Sequence, residues 1–214
     1  SDGKHKFWVA NNPVSEEYKL HPAFDRPDGE RPYVLVGVDK FGAGQTIGTC
    51  RSIAQEYGTG WGLIDIQTWS AIQMLWLVEN ADTNSQKFSA DYRGINGLWT
   101  RPAQWIDGFN ARNRQVYIGE NAIDFKLPYG IGWITNWYCS EDYDWLFLPS
   151  AGGGSESTYI PDYIWTNSGP RVAGAGFYYD SRYTAYSGLF CWYVYYSSDN
   201  AHSHIGARAQ YIPE

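Results

Sequence analysis

The spacing of apolar residues changes at about Asn84, and this change most limits the folds open to the chain. Two stretches before that point carry apolar residues three or four positions apart, as one face of a helix requires. Beyond Asn84 no helical spacing continues for a useful length, and short runs of Gly, Asn, Trp and Tyr alternate with turn-forming sequences. The chain is therefore predicted to be an α+β domain with two early helices and a turn-rich β region.

The two predicted helices have different apolar faces. The first covers residues 45–57, and Gly58 follows it as a C-terminal stop. Its apolar positions are Ile47, Cys50, Ile53, Ala54 and Tyr57. The second runs from about residue 68 to residue 79, with Asp65 as its N-cap. Its apolar positions are Ile72, Leu75, Trp76 and Val78, and we expect this helix to serve core packing alone.

The N-terminal part is expected to contain short extended pieces separated by turns. The run from Tyr33 to Val38 is rich in β-branched residues, which predicts a strand. A chain of 214 residues is long enough for one sizeable core. We therefore predict an N-terminal extended segment over residues 1–32 and one domain over residues 33–214. The first residue is not Met, as expected for an excised fragment or a processed product.

Charge and composition exclude several partners. The net charge of −7 argues against a nucleic acid or an anionic membrane as partner, because both require a cationic surface. No run of apolar residues is long enough to span a bilayer, and no signal peptide is recognisable. Three cysteines, Cys50, Cys139 and Cys191, lack metal-binding spacing, and we expect buried free thiols. One disulfide with one free thiol is the alternative.

Known catalytic motifs are absent from the sequence. It has no GxSxG elbow, HExxH helix, P-loop or GxGxxG fingerprint, so we predict no enzymatic activity and no cofactor. His202 and His204 would share one face of a strand, and with Asp199 they could hold a transition metal, but surface recognition explains them without further ligands. Glu141, Asp142 and Asp144 are expected in a solvated turn, with a glycosidase site using Glu141 and Asp144 as the rival interpretation.

The segment of residues 171–208 has an unusual composition. It holds seven of the 18 tyrosines and contains no Lys, Glu, Gln or Met. Its polar residues are Tyr, Ser, Asp, Asn and His, the composition of antibody-like binding surfaces. Leu189, Phe190, Val194 and Ile205 are expected in the core. Burying all seven tyrosines would require a partner for every hydroxyl group, so we expect them on one exposed face.

At these residues the chain resembles the variable proteins of diversity-generating retroelements, which include receptor-binding tropism determinants of phages. The resemblance is carried by Gly174 and Gly176, by the run Ser187 to Phe190 and by the run Ile205 to Arg208. Residues 66–75 and Asn84-Ser85-Gln86 are similar to the second helix and the following loop of such proteins. The resemblance implies a C-type-lectin-type fold of the formylglycine-generating-enzyme-like subtype, with two helices, short mixed and antiparallel strands and long loops.

The resemblance also implies which residues bind a ligand. In that family, adenine-directed mutagenesis changes codons of the Asn type, whose products never include Lys, Glu, Gln, Met or Trp; here only Trp192 departs from that rule. Gly188, Phe190, Ile205, Gly206 and Arg208 would be scaffold. The candidate ligand-binding residues are Tyr178, Tyr179, Asp180, Tyr183, Tyr186, Trp192, Tyr193, Tyr195, Tyr196, Asp199, Asn200, His202 and His204.

The expected partner is a protein or glycan receptor on a cell surface, and the expected location is a virion tail, the cell surface or the extracellular space. The sequence leaves oligomerisation open. Triplets typical of calcium-binding lectins are missing, and Cys191 has no second cysteine nearby, as the related sulfatase-activating oxidases require. A carbohydrate-binding module with fixed aromatics and a structural virion protein are the alternatives to variable binding.

Overall fold

A computed structural model describes residues 8–10, 20–22, 34–35, 44–100, 102–158, 160–176 and 186–212, the first three stretches by their backbone alone. Within these residues two α-helices, α1 (Ile47–Gln55) and α2 (Ile66–Asn80), accompany a predominantly β chain, which confirms the α+β prediction. A 3₁₀ turn covers Ser85–Lys87. The strands are β1 (Trp8–Ala10), β2 (Leu20–Pro22), β3 (Val34–Leu35), β4 (Trp61–Leu63), β5 (Ala103–Arg112), β6 (Gln115–Ile118), β7 (Asn121–Lys126), β8 (Ile131–Cys139), β9 (Phe147–Gly152), β10 (Tyr163–Thr166), β11 (Pro170–Ala175), β12 (Trp192–Val194), β13 (Ile205–Gly206) and β14 (Ala209–Tyr211).

Both predicted helices are confirmed, and each begins with a side-chain cap. The Thr46 hydroxyl accepts a hydrogen bond from the Thr49 amide at the start of α1. Asp65 caps α2 as predicted, since its Oδ1 accepts a hydrogen bond from the Thr68 amide at 2.8 Å. Ala81 ends α2 in the left-handed conformation. In the described part of the chain, no helix combines the length and the apolar character needed to cross a membrane.

The apolar face predicted for α2 is wrong at Val78. That side chain is 81% exposed, whereas Trp69, Ile72 and Trp76 are almost completely buried. Successive helical residues are about 100° apart, so Val78, two positions beyond Trp76, points away from the stripe that begins at Trp69. The tertiary contacts therefore select the stripe around Trp69 and leave Val78 in solvent.

The described strands form two sheets. The smaller sheet has the order β2-β1-β3-β14-β4, so the C-terminal β14 lies between the N-terminal β3 and β4. The larger sheet has the order β7-β6-β5-β11-β12-β10-β8-β9, and β13 pairs in parallel with β5. The parallel neighbours β10 and β12 occupy the middle of this sheet. The pair therefore joins β12, which belongs to the tyrosine-rich segment, to β10, which lies outside that segment.

Strand β5 separates two hydrophobic clusters. Ile106 contributes to the larger cluster, together with Trp69 and Trp76 of α2. The adjacent Trp105 contributes to a second cluster that includes Ile47 of α1. Because neighbouring side chains of a strand point to opposite faces, the two clusters lie on opposite sides of the larger sheet. The predicted core residues Leu189, Phe190, Val194 and Ile205 are all buried, as expected.

All three cysteines are free, but they are not all buried. Cys50 and Cys191 are buried as predicted, and burial raises the pKa of the Cys50 thiol to about 11. Burial also raises the pKa of Cys191 well above its usual value. Cys139 is exposed, so the prediction of a buried thiol is wrong there. It is the last residue of β8, where the strand ends at a solvent-facing turn.

Candidate functional site

A continuous row of ring side chains lies on one face of the larger sheet. Its centre is Tyr193 of β12, which stacks on Trp165 of β10 with ring centroids 4.6 Å apart and planes inclined by 22°. Tyr193 also stacks on Tyr196, with centroids 5.6 Å apart and planes inclined by 12°. We call the whole set the aromatic row; its members are Trp133, Tyr163, Trp165, Tyr186, Tyr193, Tyr196, His202 and His204.

One end of the aromatic row is a tight group of three rings. Trp133 of β8 is the cross-strand partner of Tyr163 in β10, and their ring centroids are 4.8 Å apart. Tyr186, which precedes β12, lies 4.7 Å from the Trp133 centroid and 4.5 Å from the Tyr163 centroid. Rings this close gain edge-to-face and offset-stacked contacts beyond simple burial. The Tyr186 ring therefore packs in a defined position against residues outside the tyrosine-rich segment.

The other end of the aromatic row consists of histidines. The His202 ring centroid is 4.2 Å from that of Tyr196, and the His204 centroid is 4.9 Å from that of His202. The Tyr196 hydroxyl and the His204 Nε2 are 3.2 Å apart and share a hydrogen bond. The His204 carbonyl accepts a hydrogen bond from the Ala103 amide, which ties this end to β5. Neither histidine lies in a strand, because β13 begins at Ile205, so the prediction that the two share one strand face is wrong.

Strand register explains why the rings share a face. Trp165 lies directly opposite Tyr193 in the β10–β12 pair, and Tyr193 lies directly opposite Gly174 in the β11–β12 pair. Side chains of directly opposed residues project from the same face. Gly174 has no side chain, and a Cβ placed there would be 3.5 Å from the Tyr193 Cβ. The glycine therefore leaves room beside the Tyr193 ring.

The aromatic row is only partly accessible. Trp165, Tyr193 and His204 are 5%, 7% and 8% exposed, so their rings contact mainly the protein itself. Tyr186, Tyr196 and His202 are half-buried. Tyr195 is 39% exposed and meets Tyr196 edge to face. The prediction of an exposed face is therefore wrong for Tyr193 and His204. Tyr193 is stacked on both Trp165 and Tyr196, so its ring supports its neighbours and is not free to contact a ligand.

Trp192 does not lie on this surface, contrary to the prediction. It is 0% exposed and packs edge to face against Phe109 with centroids 5.2 Å apart. Trp192 and Val194 occupy the opposite face of β12 from Tyr193, because side chains alternate along a strand. Trp192 is thus a core residue of the scaffold. Four other candidates, Tyr178, Tyr179, Asp180 and Tyr183, lie outside the described residues.

Asn200 and Asp199 occupy the loop after β12. The Asn200 Oδ1 accepts hydrogen bonds from the Ser197 amide at 2.9 Å and from the Ser197 hydroxyl at 3.1 Å, so its side chain closes the loop. Asp199 is exposed. The Tyr196 carbonyl accepts a hydrogen bond from the Val172 amide at 3.0 Å, which fixes the beginning of the loop to β11. Asn200 therefore has a structural contact in addition to its predicted place at the surface.

Three polar side chains from elsewhere in the fold hold the loop before β12. The Leu189 amide donates to the Ser85 hydroxyl at 2.9 Å, and the Leu189 carbonyl accepts from the Gln73 amide group at 3.0 Å. The Phe190 amide donates to Asp162 Oδ2 at 2.7 Å. These contacts satisfy buried backbone groups that would otherwise lack partners. These contacts fix the backbone of the tyrosine-rich segment immediately before β12.

Asp162 is a buried carboxyl group at the base of the site. It is 0% exposed, and Gln86 donates to its Oδ1 at 3.2 Å. Desolvation raises the pKa of Asp162 to about 7, while hydrogen bonds from Phe190 and Gln86 oppose this effect. Gly188 packs directly on the carboxyl group, and a Cβ at that position would overlap it. Gly188 therefore has a scaffold position, as expected.

Arg208 anchors the end of the tyrosine-rich segment. This arginine is 0% exposed. Its Nε donates to Gln104 Oε1 at 2.8 Å, and its Nη2 donates to the Asn96 carbonyl at 2.7 Å. Gln104 in turn donates to the Leu98 carbonyl. The segment is thus tied at both ends to residues outside it, which keeps the backbone under the aromatic row in place.

The carboxylates considered for a glycosidase site lie away from the aromatic row, and the described residues offer no set of ligands for the metal site considered at His202 and His204. Glu141, Asp142 and Asp144 are exposed in the turn between β8 and β9. That turn begins at Ser140, seven residues after Trp133, so it lies about 23 Å along β8 from the aromatic row. Within the described residues, no group of three or more His, Cys, Asp and Glu side chains could hold a metal ion.

Sequence reasoning missed the part of the aromatic row that comes from β8 and β10. Tyr163 and Trp165 are two residues apart, which is the spacing of one strand face. That spacing could have identified them as neighbours of each other. Their contact with Tyr186 and Tyr193 depends on the pairing of β10 with β12, which no local pattern specifies.

Comparison with models of known protein families gave no match, and neither did comparison with curated protein sequences.

Proposed function

We propose that this chain is a ligand-binding or receptor-binding protein that presents residues 171–208 on a rigid scaffold for attachment to a virus host or another cell surface. The proposal includes membership of the variable proteins of diversity-generating retroelements and a C-type-lectin-type fold of the formylglycine-generating-enzyme-like subtype. On this proposal the chain has no catalytic residues and needs no cofactor. Its receptor is a protein or a glycan.

The observation that carries the proposal is the division of the tyrosine-rich segment into two sides. Trp192, Phe190 and Arg208 face the interior and are almost fully buried. Tyr195, Asp199 and Ala201 are exposed. An interface of this kind can change its exposed residues while the interior keeps the backbone in place, and a preorganised backbone lowers the entropy lost on binding.

The position of Trp192 gives separate support. Trp is the one residue type in the segment that Asn-type codon mutagenesis cannot produce, and Trp192 is in the core. The residues that the mutagenesis can produce include those at the exposed positions Tyr195, Asp199 and Ser203. A division between invariable interior and variable exterior is what the proposal requires.

A carbohydrate-binding module is the second candidate, because the aromatic row extends onto β8 and β10. Trp133, Tyr163 and Trp165 lie outside the segment, so they would be fixed side chains, as in a conserved sugar site. Against this, stacking on a sugar requires a free ring face, and Tyr193 has its ring stacked on two neighbours. We therefore place the variable-binding proposal first.

The first experiment compares the DNA encoding residues 171–208 with the neighbouring genome. The proposal predicts a near-identical repeat that differs only at adenines, next to a reverse transcriptase gene. The differences should fall in codons of exposed positions such as 195 and 199 and spare codons 188–192. If no repeat is present, the tyrosines are fixed, and the carbohydrate-binding candidate becomes the better one.

A second experiment separates a protein receptor from a glycan. Binding to candidate host cells is measured before and after enzymatic removal of their glycans, with the wild-type chain and with Tyr186→Ala. The matched control is Tyr129→Ala, since Tyr129 is 86% exposed and is not part of the aromatic row. A protein receptor predicts binding that survives glycan removal and is weakened by Tyr186→Ala alone. Loss of binding on glycan removal would mean that the receptor is a glycan, and the genomic comparison would then decide between a variable surface and a fixed sugar site.

A further inference from the structure

A cavity of about 450 Å³ lies beside the larger sheet, and no ring of the aromatic row is among the described residues that line it. It is bordered by α1, β5, β6 and β11, and Ser198 of the loop after β12 closes one side. Its lining contains three arginines and three neutral polar side chains. These six residues are Arg51, Arg112, Arg171, Asn110, Tyr117 and Ser198.

The charge around this arginine-lined cavity is opposite to that of the chain as a whole. The chain carries a net charge of −7, yet three of its 16 Lys and Arg residues border one cavity. No Asp or Glu is among the described residues that line it. Such a concentration of one sign in a concave site attracts ions of the opposite sign.

Only one of the three arginines is neutralised by an acidic neighbour. Arg51 donates from Nε and Nη2 to the two carboxyl oxygens of Asp107, at 3.0 Å and 2.6 Å, and this bond raises its pKa. Arg112 and Arg171 form no salt bridge with any residue that the structure describes. Arg171 lies directly opposite Ala111 in the β5–β11 pair, so its side chain leaves the sheet on the face opposite to that of Asn110 and Arg112. Arg112 is therefore the arginine whose charge is available to an anion in the cavity.

Strand register places neutral donors next to the charge. Asn110 lies directly opposite Tyr117 in the β5–β6 pair, so both side chains project from one face. Arg112, two residues beyond Asn110, projects from that same face. A guanidinium group, a carboxamide and a phenol at one surface provide N–H and O–H donors of the kind that bind sulfate and carboxylate groups.

We propose that the arginine-lined cavity binds a small molecule bearing an oxyanion, such as a sulfated sugar or a uronic acid. A volume of about 450 Å³ falls in the range of small-molecule sites and exceeds the need of a bare sulfate ion. Arg112 and the neighbouring Arg51 hold the oxyanion, while Asn110 and Tyr117 bind neutral hydroxyl groups. This inference does not rest on the proposed function, since it uses no ring of the aromatic row.

The test is calorimetric titration of the folded chain in dilute chloride buffer with three probes: galactose 6-sulfate, galactose and sodium sulfate. We expect galactose 6-sulfate to bind and galactose not to bind. Arg112→Ala should weaken binding of the sulfated sugar about tenfold, because a hydrogen bond to a charged group is lost. Arg112→Gln, which keeps a polar side chain but removes the positive charge, should also weaken binding.

Two control variants test whether binding depends on the overall charge of the chain or on the aromatic row. Lys87→Ala removes an equal charge from a residue that does not line the cavity, and it should leave the affinity unchanged. Tyr186→Ala, at the end of the aromatic row that packs on Trp133 and Tyr163, should also leave it unchanged, so a failed receptor proposal and a failed cavity proposal give different results. Absence of binding by both sulfate-containing probes, or equal affinities in wild type and Arg112→Ala, would overturn the inference. Equal affinities for sodium sulfate and galactose 6-sulfate would overturn the assignment of a sugar-sized ligand.

Discussion

Trp165 and Tyr193 stack face to face across two parallel strands, 4.6 Å apart at their ring centroids. Tyr193 belongs to the tyrosine-rich segment, whereas Trp165 lies 28 positions earlier in the chain, outside that segment. The stacked pair therefore joins the candidate binding segment to the fixed part of the sheet. A side chain such as Tyr196, which stacks on Tyr193, is consequently held in position by residues that it does not itself contact.

Substitutions at the two sides of the segment should have very different effects on stability. Trp192→Ala should lower the free energy of unfolding by about 3–5 kcal/mol, because it leaves a cavity beside Phe109. Tyr195→Ser should change it by less than about 1 kcal/mol, because Tyr195 is 39% exposed. Urea denaturation of both variants provides the measurement. Similar losses in the two variants would mean that the segment does not divide into interior and exterior as described.

The contact between Gly188 and Asp162 should make Gly188→Ala destabilising. The added methyl group would overlap the buried carboxyl group, and relieving that overlap costs on the order of 1–3 kcal/mol. Gly62→Ala is the matched control, because a Cβ at Gly62 meets no atom within 4 Å. Thermal denaturation should give a clearly lower Tm for Gly188→Ala than for Gly62→Ala. Equal Tm values would show that the loop before β12 can move away from Asp162.

Asp162 should make stability depend on pH. Its pKa is raised to about 7 in the folded chain, whereas the pKa of an Asp in the unfolded chain is about 4. Between these values the folded chain holds a proton that the unfolded chain has released, so stability contributed by this group falls as the pH rises. The contribution is fully present below about pH 4 and lost above about pH 7.

Asp162→Asn isolates this effect, because Asn cannot ionise and still offers an oxygen to the Phe190 amide. The Tm of wild type minus that of Asp162→Asn should fall steadily between pH 4 and pH 8. Taking the difference removes the contributions of groups that titrate in both proteins. A difference that stays constant over this range would contradict the raised pKa.

Thiol reactivity should distinguish Cys139 from the other cysteines. The thiolate is the reactive form, and Cys50 and Cys191 are buried with raised pKa values. Cys139 is exposed at the end of β8. Ellman's reagent at pH 8 should modify one thiol quickly in the folded chain and all three in guanidinium chloride. Cys139→Ser should abolish the fast reaction, and a fast reaction that survives this change would place another thiol at the surface.

Local sequence information predicts the elements that depend on near neighbours. The caps and helical spacing of residues 45–80 predict both helices, with Asp65 at the start of the second. Apolar residues inside the tyrosine-rich segment, such as Phe190 and Val194, are buried as expected. These features follow from side-chain period and from hydrogen bonds over three or four residues, which a sequence contains directly.

The pairing of distant strands was decided only by the tertiary structure. The sequence does not indicate that Trp192 faces the larger hydrophobic cluster and Tyr193 the aromatic row, because both are aromatic and a shift of one residue in register would exchange their faces. The contacts of Tyr186 with Trp133 and of Phe190 with Asp162 join residues far apart in the chain. By itself, the sequence determined which segment is rich in binding-type residues. Strand register determined which of those residues stand on the surface and which residues elsewhere support them, since register depends on packing of the whole sheet.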